Sequence, residues 1–280
     1  MADNSELTPI LKWVGGKRQI LDKILPFIPE HYSTYYEPFV GGGAVFFALH
    51  PKKAVLNDLN SELINVYIVI KTNAKLLIEE LDKHSKQHSK EHFYYIRALD
   101  RNKTEYDKLS DVQKAARTIY LNKTCYNGLY RVNANGEFNT PFGKYKNPNI
   151  LNEKCILAIS KYLQEADIRI KCGDYRKILS SARKGAFVYF DPPYMPVSTT
   201  SNFTNYTASG FTIEQQVELK QTCDDLDRRG IKFLLSNANT AEIRRLYAGY
   251  RIKVIKAKRA INSVGNKRGV VEEVLVRNYD

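Results

Sequence analysis

The chain lacks the features that would place it in a membrane or in an oxidising compartment. None of its apolar runs approaches the ~20 residues that a membrane-spanning helix needs. Its first ten residues have neither a basic start nor an apolar stretch, so we predict no secretory signal. The four cysteines are scattered and include no Cys-x-x-Cys pair, which predicts reduced thiols in a cytoplasmic protein.

Acidic residues are also scarce relative to basic ones. The 280 residues include 43 Lys and Arg but 30 Asp and Glu, which gives a formal net charge of +13. This excess favours a polyanionic partner, and nucleic acid fits better than a membrane surface because no membrane segment is predicted. The hydrophobic fraction of 43% is that of an ordinary globular protein with a substantial core.

Three histidines have a spacing that a metal site can use. His84, His88 and His92 stand four positions apart and would share one face of a helix. Their neighbours are lysines and a glutamate, a composition more typical of a solvated helix face. We therefore predict that this face is solvated and that the protein holds no metal.

The order of apolar runs and turn residues divides the chain into three segments. Residues 1–62 and 161–280 alternate short strands with helices, which predicts a mostly parallel α/β sheet with crossover helices. Residues 63–160 favour helices and contain a loop rich in Asn, Gly, Tyr and Arg. We expect the two outer segments to form one α/β domain and the middle segment to be a helical insertion.

The most informative motif is Asp191-Pro192-Pro193-Tyr194, which follows the apolar run 186–190, a predicted buried strand. Each proline fixes its own φ and donates no N–H, and the residue before a proline avoids the helical region. A carboxylate, a carbonyl and an aromatic ring therefore meet in a stiff segment at a strand end. This set suits a planar ring with an amino group, such as an adenine or cytosine turned out of a helix. The alternative is an ordinary turn that ends a strand.

A glycine-rich turn at residues 39–43 (FVGGG) follows another predicted strand and precedes a helix, a position where α/β proteins bind nucleotides. The dinucleotide fingerprint is incomplete, because Phe46 stands where its third glycine belongs. The turn therefore favours an adenosine ligand without a pyrophosphate. Glu37 and Asp58 follow the pattern of the acid that binds ribose hydroxyls. The alternative is a plain glycine turn with surface acids.

Four motifs occur in an order that identifies a family resemblance. Residues 11–17 (LKWVGGK), 37–43 (EPFVGGG), 57–58 (ND) and 191–194 (DPPY) resemble the Dam-type (DpnM-like) DNA adenine methyltransferases, D12 class, alpha group. In this group the target-recognition region lies between the glycine turn and the DPPY motif. Residues 126–131 (YNGLYR) resemble the recognition loop of the family, and the resemblance extends over nearly the whole chain.

The resemblance implies a class I S-adenosylmethionine-dependent methyltransferase (Rossmann-like) sheet with an inserted helical target-recognition domain at residues 63–160. It implies S-adenosylmethionine as the methyl donor. The implied acceptor is the exocyclic amino group of adenine, usually in double-stranded GATC and reached by base flipping. The implied partners are double-stranded DNA and a cognate restriction endonuclease that acts separately, with no membrane or metal, in a cytoplasmic, nucleoid-associated location.

Three sets of site residues follow, mostly by matching motif positions. The expected catalytic residues are Asp191, Pro192 and Tyr194. The expected cofactor-binding residues, including Glu37 from the acid pattern above, are Trp13, Lys17, Glu37, Phe39, Gly41, Asp58, Asp174, Tyr175 and Asp191. The expected DNA-binding residues are Lys12, Tyr126, Asn127, Leu129, Arg131, Pro141 and Asn202. Of these, Lys12 and Arg131 match positions that touch guanine, whereas Tyr126 and Asn127 match positions that enter or flank the duplex.

Two other functions stay open at this point. The first is an amino-methyltransferase that acts on cytosine in DNA, or on RNA, because the DPPY motif by itself does not distinguish these acceptors. The second is a DNA-binding module without catalytic activity on the same fold, although the intact Asp191, Tyr194 and Asp58 disfavour it.

Overall fold

The computed structural model describes residues 7–194, 211–258 and 270–280. Within these residues the strands are β1 (Tyr35–Glu37), β2 (Lys53–Asp58), β3 (Asp167–Cys172), β4 (Phe187–Phe190), β5 (Lys232–Ala238), β6 (Arg251–Lys258) and β7 (Val270–Arg277). The α-helices are α1 (Leu21–Ile24), α2 (Ala44–Leu49), α3 (Ser61–Lys86), α4 (Lys90–Ala98), α5 (Lys103–Asp107), α6 (Asp111–Thr124), α7 (Glu153–Glu165), α8 (Tyr175–Leu179), α9 (Ile213–Arg228) and α10 (Ala241–Leu246).

The strands form one sheet in the order β3-β2-β1-β4-β5-β7-β6. Strands β1 to β5 pair in parallel, and β7 runs antiparallel to both β5 and β6. The strand order reverses between β1 and β4, and in open α/β sheets the carboxyl ends at such a switch point form the ligand crevice. The prediction of a mostly parallel α/β sheet is therefore confirmed.

Alternate strand residues face opposite sides of this sheet and build two buried clusters. Tyr35, Phe187 and Leu234 belong to the cluster under α2, α3 and α7. Tyr36 and Val188 belong to the cluster under α8, α9 and α10. Because both faces are covered, β1, β4 and β5 are buried along nearly their whole length, and β4 is entirely apolar.

The insertion is built around two long helices that pack along each other, α3 and α6. Ser110 and Gln113 form a capping box that fixes the first residue of α6. The predicted boundary at residue 160 falls inside α7, which contacts both α3 and β3. The division of the chain into two domains stays a prediction. No helix in the described part of the chain is long and apolar enough to cross a membrane.

The expectation that the three histidines share one solvated helix face is wrong. Helix α3 ends at Lys86, so His88 lies in a loop and His92 lies on α4. His84 Nδ1 is 3.1 Å from His92 Nε2, and His88 Nδ1 is 2.9 Å from the Tyr120 hydroxyl on α6. Burial, together with the charge of neighbouring His92, lowers the pKa of His84 to about 4. The reversal of the chain between α3 and α4 turns the rings inward.

Candidate active site

The turn after β1 depends on two glycines with positive φ, Gly41 at +48° and Gly43 at +71°. A Cβ atom added at Gly43 would lie 2.6 Å from the Tyr67 hydroxyl oxygen. A Cβ atom added at Gly41 would lie 2.9 Å from Cδ1 of the Trp13 indole. Glycine is therefore required at both positions, for the backbone conformation and for lack of space, and the two glycines shape the turn between β1 and α2.

Asn57 and Asp58, at the end of β2, tie together the tips of three strands. The Asn57 side-chain amide donates to the carbonyls of Pro38, after β1, and Gly173, after β3, at 3.0 and 2.9 Å. The Asp58 carboxylate accepts from the Gly41 N–H and from the Asn60 N–H, both at 3.0 Å. Burial raises the pKa of Asp58, and these N–H donors oppose the rise. The turn is thus held in shape by side chains of the neighbouring strand.

Aromatic rings line the crevice on the side of α8. The ring centroids of Phe39 and Tyr175 are 5.0 Å apart, and the Phe211 ring meets Phe39 edge-on at 6.0 Å. Asp174 caps α8 by accepting from the Arg176 backbone N–H at 2.9 Å. Its carboxylate also pairs with the Arg176 guanidinium, whose hydrogen bonds lower the pKa of Asp174. The expected cofactor-binding residues Phe39, Asp174 and Tyr175 therefore lie together at the carboxyl edge of the sheet, on the side of α8.

Asp191 follows β4 and is bound by two groups from elsewhere in the chain. Its Oδ1 atom is 2.8 Å from Nζ of Lys17 and accepts a hydrogen bond from the Ser236 hydroxyl at 3.0 Å. The Lys17 side chain is 4% exposed, and its ammonium also donates to the Gly15 carbonyl at 2.6 Å. The structure therefore joins an expected cofactor-binding residue directly to the expected catalytic carboxylate.

The charges of this pair stabilise each other against the cost of burial. Burial raises the pKa of Asp191, and the adjacent Lys17 cation counteracts the rise. Burial would lower the pKa of Lys17, but the charges of Asp191 and Glu273 outweigh it and raise that pKa above its usual value. We expect a lysine cation and a carboxylate at neutral pH, since each charge compensates for the burial of the other and loss of either would leave a buried charge without a partner.

Tyr194 is held by a residue that the sequence did not indicate. Its hydroxyl donates to Oε2 of Glu273 on β7 at 2.8 Å, and its ring centroid lies 4.7 Å from Nζ of Lys17. The carbonyl of Pro193, one residue before it, accepts from the Gln216 side chain on α9 at 3.4 Å. Glu273 lies inside a strand with no motif around it, so only the pairing of β7 beside β5 brings it to the site.

Glu37 is a buried acid rather than an exposed one. It is 2% exposed, and its Oε2 atom accepts a hydrogen bond from the Tyr35 hydroxyl at 2.7 Å. Burial raises its pKa well above the usual range, and the charge of Asp191 acts in the same direction. Asp58 is more open, and the next residue, Leu59, exposes 60% of its surface.

Trp13 links the glycine turn to the recognition loop, which we define as residues 125–143. One edge of its indole packs on Gly41, as the close approach of Cδ1 shows. The indole also stacks on Tyr130 of the recognition loop, with ring centroids 4.9 Å apart and an interplanar angle of 27°. The segment that carries the expected cofactor residue Trp13 and the expected DNA residue Lys12 therefore lies between the two regions.

The recognition loop is closed by backbone contacts. Isolated bridges pair Cys125 with Phe142 and Val132 with Phe138. At the start of the loop, the Tyr126 N–H donates to the Pro141 carbonyl at 2.8 Å. Tyr126 is 56% exposed and Pro141 is also exposed, whereas Leu129 is half-buried. Asn127 has φ +57°.

Arg131 is oriented by Asn139 across the recognition loop. Its Nε atom donates to the Asn139 side-chain oxygen at 2.7 Å, and its Nη2 atom donates to the Asn139 carbonyl at 3.4 Å. The Asn139 N–H returns a hydrogen bond to the Arg131 carbonyl at 3.0 Å. Of the seven expected DNA-binding residues, Asn202 lies outside the described residues. The other six lie on this loop or on the segment before Trp13.

The sheet order, the glycine turn after β1 and the acid-Pro-Pro-Tyr motif after β4 together define a class I methyltransferase fold. The chain belongs to the D12 class of N6 adenine-specific DNA methyltransferases, whose family profile matches residues 13–261. The predicted family and enzyme class are confirmed. This membership also disfavours the alternatives of a cytosine or RNA acceptor and of a non-catalytic module.

Similar proteins span nearly the whole chain. This chain is 46% identical over 273 residues to the type II methyltransferase M1.LlaDCHI of Lactococcus lactis subsp. cremoris, and the match covers 98% of this chain and 96% of that protein. It is 43% identical to the type II methyltransferase M.MjaIII of Methanocaldococcus jannaschii, covering 98% and 100%. It is 36% identical to the DNA adenine methylase of Escherichia coli (strain K12), covering 95% and 93%.

Proposed function

We propose that this enzyme transfers a methyl group from S-adenosylmethionine to the exocyclic amino group of an adenine flipped out of double-stranded GATC. One juxtaposition carries the proposal. Asp191 is held between Lys17 and Ser236, and the Tyr194 ring lies beside it at the switch point of the sheet. A fixed carboxylate next to an aromatic ring, at the place where α/β sheets bind ligands, can bind a planar ring with an amino group, and membership of the N6 adenine-specific family favours adenine.

The residues around the crevice fit the proposed cofactor. S-adenosylmethionine, when bound, supplies a methyl group on a positively charged sulfur that is a good leaving group. Asp58 uses one lone pair on each oxygen for backbone N–H groups and has others for ribose hydroxyls. The rings of Phe39 and Tyr175 and the exposed side chain of Leu59 offer apolar surface for an adenine.

The catalytic residues act on the adenine amino group. The lone pair of this nitrogen is delocalised into the ring, so the group is a poor nucleophile. The Asp191 carboxylate and the Pro192 carbonyl accept its two hydrogens and draw them out of the ring plane, which localises the lone pair. Tyr194 stacks on the base. The Asp191 charge stabilises the positive charge that develops on nitrogen, a preorganised electrostatic effect. After the methylated nitrogen carries that charge, its extra proton passes from the nitrogen to solvent water.

The recognition loop supplies the DNA contacts in this proposal. Flipping a base costs a few kcal/mol of stacking and pairing, so a residue must brace the gap. Tyr126, exposed two residues after the end of α6, and Asn127 beside it are suited to this role. Lys12 and Arg131 donate to guanine edges, and Leu129 and Pro141 contact a pyrimidine methyl group. Asn202 stays a predicted contact.

The proposal extends to the organisation of the protein in the cell. Residues 63–160 act as the target-recognition unit on a methyltransferase body formed by the rest of the chain. M1.LlaDCHI and M.MjaIII are named as type II methyltransferases. By analogy we propose a separate cognate endonuclease for this chain. A DNA substrate also implies a cytoplasmic, nucleoid-associated location.

A transfer assay tests the proposal directly. The enzyme is incubated with labelled S-adenosylmethionine and with duplexes that contain GATC or the same bases in shuffled order. We expect N6-methyladenine in the GATC duplex alone, and equal labelling of both duplexes would contradict the proposed target. Base flipping is tested with 2-aminopurine at the target position, whose fluorescence should rise when the enzyme binds. An unchanged signal on a bound duplex would contradict flipping.

A further inference from the structure

We propose that Asn122 is a specificity-positioning residue that fixes Lys12 against the recognition loop, so that the two guanine-reading cations are held in one frame. The inference deepens the proposed function and rests on the proposed role of Lys12. Asn122 lies on α6, two residues before that helix ends, and is 2% exposed. It therefore acts through Lys12 and the loop rather than by touching a base.

One side-chain amide makes three hydrogen bonds to the backbone of two distant segments. Its Oδ1 atom accepts from the Lys12 N–H at 2.9 Å. Its Nδ2 atom donates to the Lys12 carbonyl at 2.9 Å and to the Gly128 carbonyl at 3.1 Å. The amide thus pairs with both backbone groups of Lys12 as a neighbouring β-strand would, and it uses its second N–H on the recognition loop.

The side chain of Lys12 is guided by the same loop. A Cβ atom added at Gly128 would lie 2.9 Å from Cδ of Lys12, so the lysine stem passes directly over this glycine. Gly128 has φ +62°, which independently favours glycine there. The next residue after Lys12, Trp13, stacks on Tyr130 of the loop. Backbone, stem and neighbouring ring therefore fix the position of Lys12 relative to residues 128–130.

An asparagine suits this position for a chemical reason. The site offers one N–H donor and two carbonyl acceptors, and an amide is the short side chain that matches all three. Aspartate is nearly isosteric but has no N–H, so its carboxylate would face two carbonyls without a proton between them. Alanine would leave all three backbone groups without this partner. Buried groups that lose their partner are costly, so either change should shift the Lys12 segment.

The expected consequence is a loss of discrimination. Lys12 and Asn122 are 110 positions apart in sequence, and Arg131 is anchored separately by Asn139. Releasing Lys12 therefore changes the distance between the two guanine readers while Arg131 keeps its own anchor. A good contact to a base edge discriminates by roughly fivefold to a hundredfold. We expect Asn122→Asp and Asn122→Ala to lose at least the lower figure.

The experiment measures kcat/KM on GATC duplexes and on every duplex with one base pair of GATC replaced. The variants are Asn122→Asp, Asn122→Ala and Lys12→Ala, with Ser110→Ala as a control that weakens the cap of the same helix away from the loop. We expect both Asn122 variants to lower the ratio of cognate to substituted rates at the position that Lys12→Ala affects. A change in cofactor affinity passed on through Trp13, which packs on Gly41, would lower the rates on all duplexes alike and leave this ratio unchanged.

The outcomes are distinguishable. If the Asn122 variants lose rate equally on all duplexes, in parallel with a fall in melting temperature as in Ser110→Ala, the residue is merely structural and the inference fails. Should Asn122→Asp not fold, the same ratio for Asn122→Ala is the test. If Lys12→Ala leaves the ratio unchanged, the proposed role of Lys12 fails. If Lys12→Ala lowers the ratio and the Asn122 variants do not, the failure belongs to Asn122 alone.

Discussion

The carboxyl edge of the sheet and the recognition loop use polar residues in opposite ways. At the sheet edge, Lys17 and Asp191 are largely buried and form an ion pair. In the recognition loop, Tyr126 is exposed, and the loop keeps its shape through backbone bonds such as that from Tyr126 to Pro141. The sheet edge thus keeps its charged groups paired and largely away from water, whereas the loop leaves a side chain such as Tyr126 exposed.

The difference follows from what each region must do. A group that stabilises charge during the reaction is effective when its orientation is set beforehand in a site shielded from water. A residue that reads a base edge must keep donors available to a partner that is absent until DNA binds. We therefore expect changes at the sheet edge to affect rate and its pH dependence, and changes in the loop to affect target choice.

The largest expected effect is that of Asp191→Ala. Loss of the carboxylate removes the acceptor and the charge that face the amino group, and we expect turnover to fall by roughly 10³-fold or more. DNA affinity, measured by fluorescence anisotropy, should persist because the recognition loop is intact. Asp82→Ala, which removes an acid from a surface pair with Lys86, is the control. Turnover near wild type in Asp191→Ala would refute its role.

Lys17→Met tests the buried pair. The Asp191 pKa is raised by burial and lowered by Lys17, so removing the cation should raise it further. The ionised fraction of Asp191 then falls at a higher pH than in wild type, and the acidic limb of the kcat profile should move to higher pH. Breaking such a pair should also cost about 3–5 kcal/mol of unfolding free energy. Lys17→Arg keeps the charge and should retain the wild-type limb, and an unmoved limb in Lys17→Met contradicts the coupling.

Arg131→Ala sharpens the comparison from the side of the loop. Removing the guanidinium should cost about 1–3 kcal/mol of discrimination between GATC and sites with a replaced guanine. Asn139→Ala should weaken the same discrimination in part, because it frees the guanidinium without removing it. The measurement is kcat/KM on each duplex. An equal loss on cognate and substituted duplexes would make Arg131 a phosphate contact.

Glu273 tests whether Tyr194 needs its anchor. In Glu273→Ala the Tyr194 hydroxyl loses its acceptor, and we expect the freer ring to lower kcat by about tenfold, in line with one lost hydrogen bond to a charged group. Glu273→Gln keeps an acceptor oxygen for the Tyr194 hydroxyl and should retain most of the wild-type kcat. Steady-state kinetics on GATC duplexes distinguish the two variants. Equal losses would show that the charge near Lys17, rather than the hydrogen bond, is what matters.

The smallest expected effect concerns stability and pH in the helical insertion. His84 has a folded-state pKa of about 4 against an ordinary value of 6.5, with burial as the main cause. Between these values the unfolded chain binds more protons, so the unfolding free energy should fall as the pH drops from 6.5 towards 4. Urea unfolding at pH 7 and pH 5 measures the change. Burial also lowers the pKa values of His88 and His92, so His84→Phe should reduce this difference between pH 7 and pH 5 without abolishing it. The exposed His31→Ala should leave it unchanged, and the same difference in the wild type and both variants would contradict the assignment.

The sequence by itself determined the α/β sheet and several residues of the site, because apolar runs that end in Gly, Asp or Pro mark the carboxyl ends of parallel strands. These ends share one edge, so Gly41, Asp58 and Asp191 had to lie near one another. Local pattern was a poorer guide to the histidines, since spacing does not show where a helix stops.

Only the tertiary structure decided which groups meet across long stretches of chain. Lys17 pairs with Asp191, Tyr194 with Glu273, and Asn122 with Lys12, and none of these pairs is close in sequence. Each depends on strand order or on the path of α6 beside Lys12. Strand order and helix packing result from the burial of both sheet faces as a whole, which no local pattern encodes.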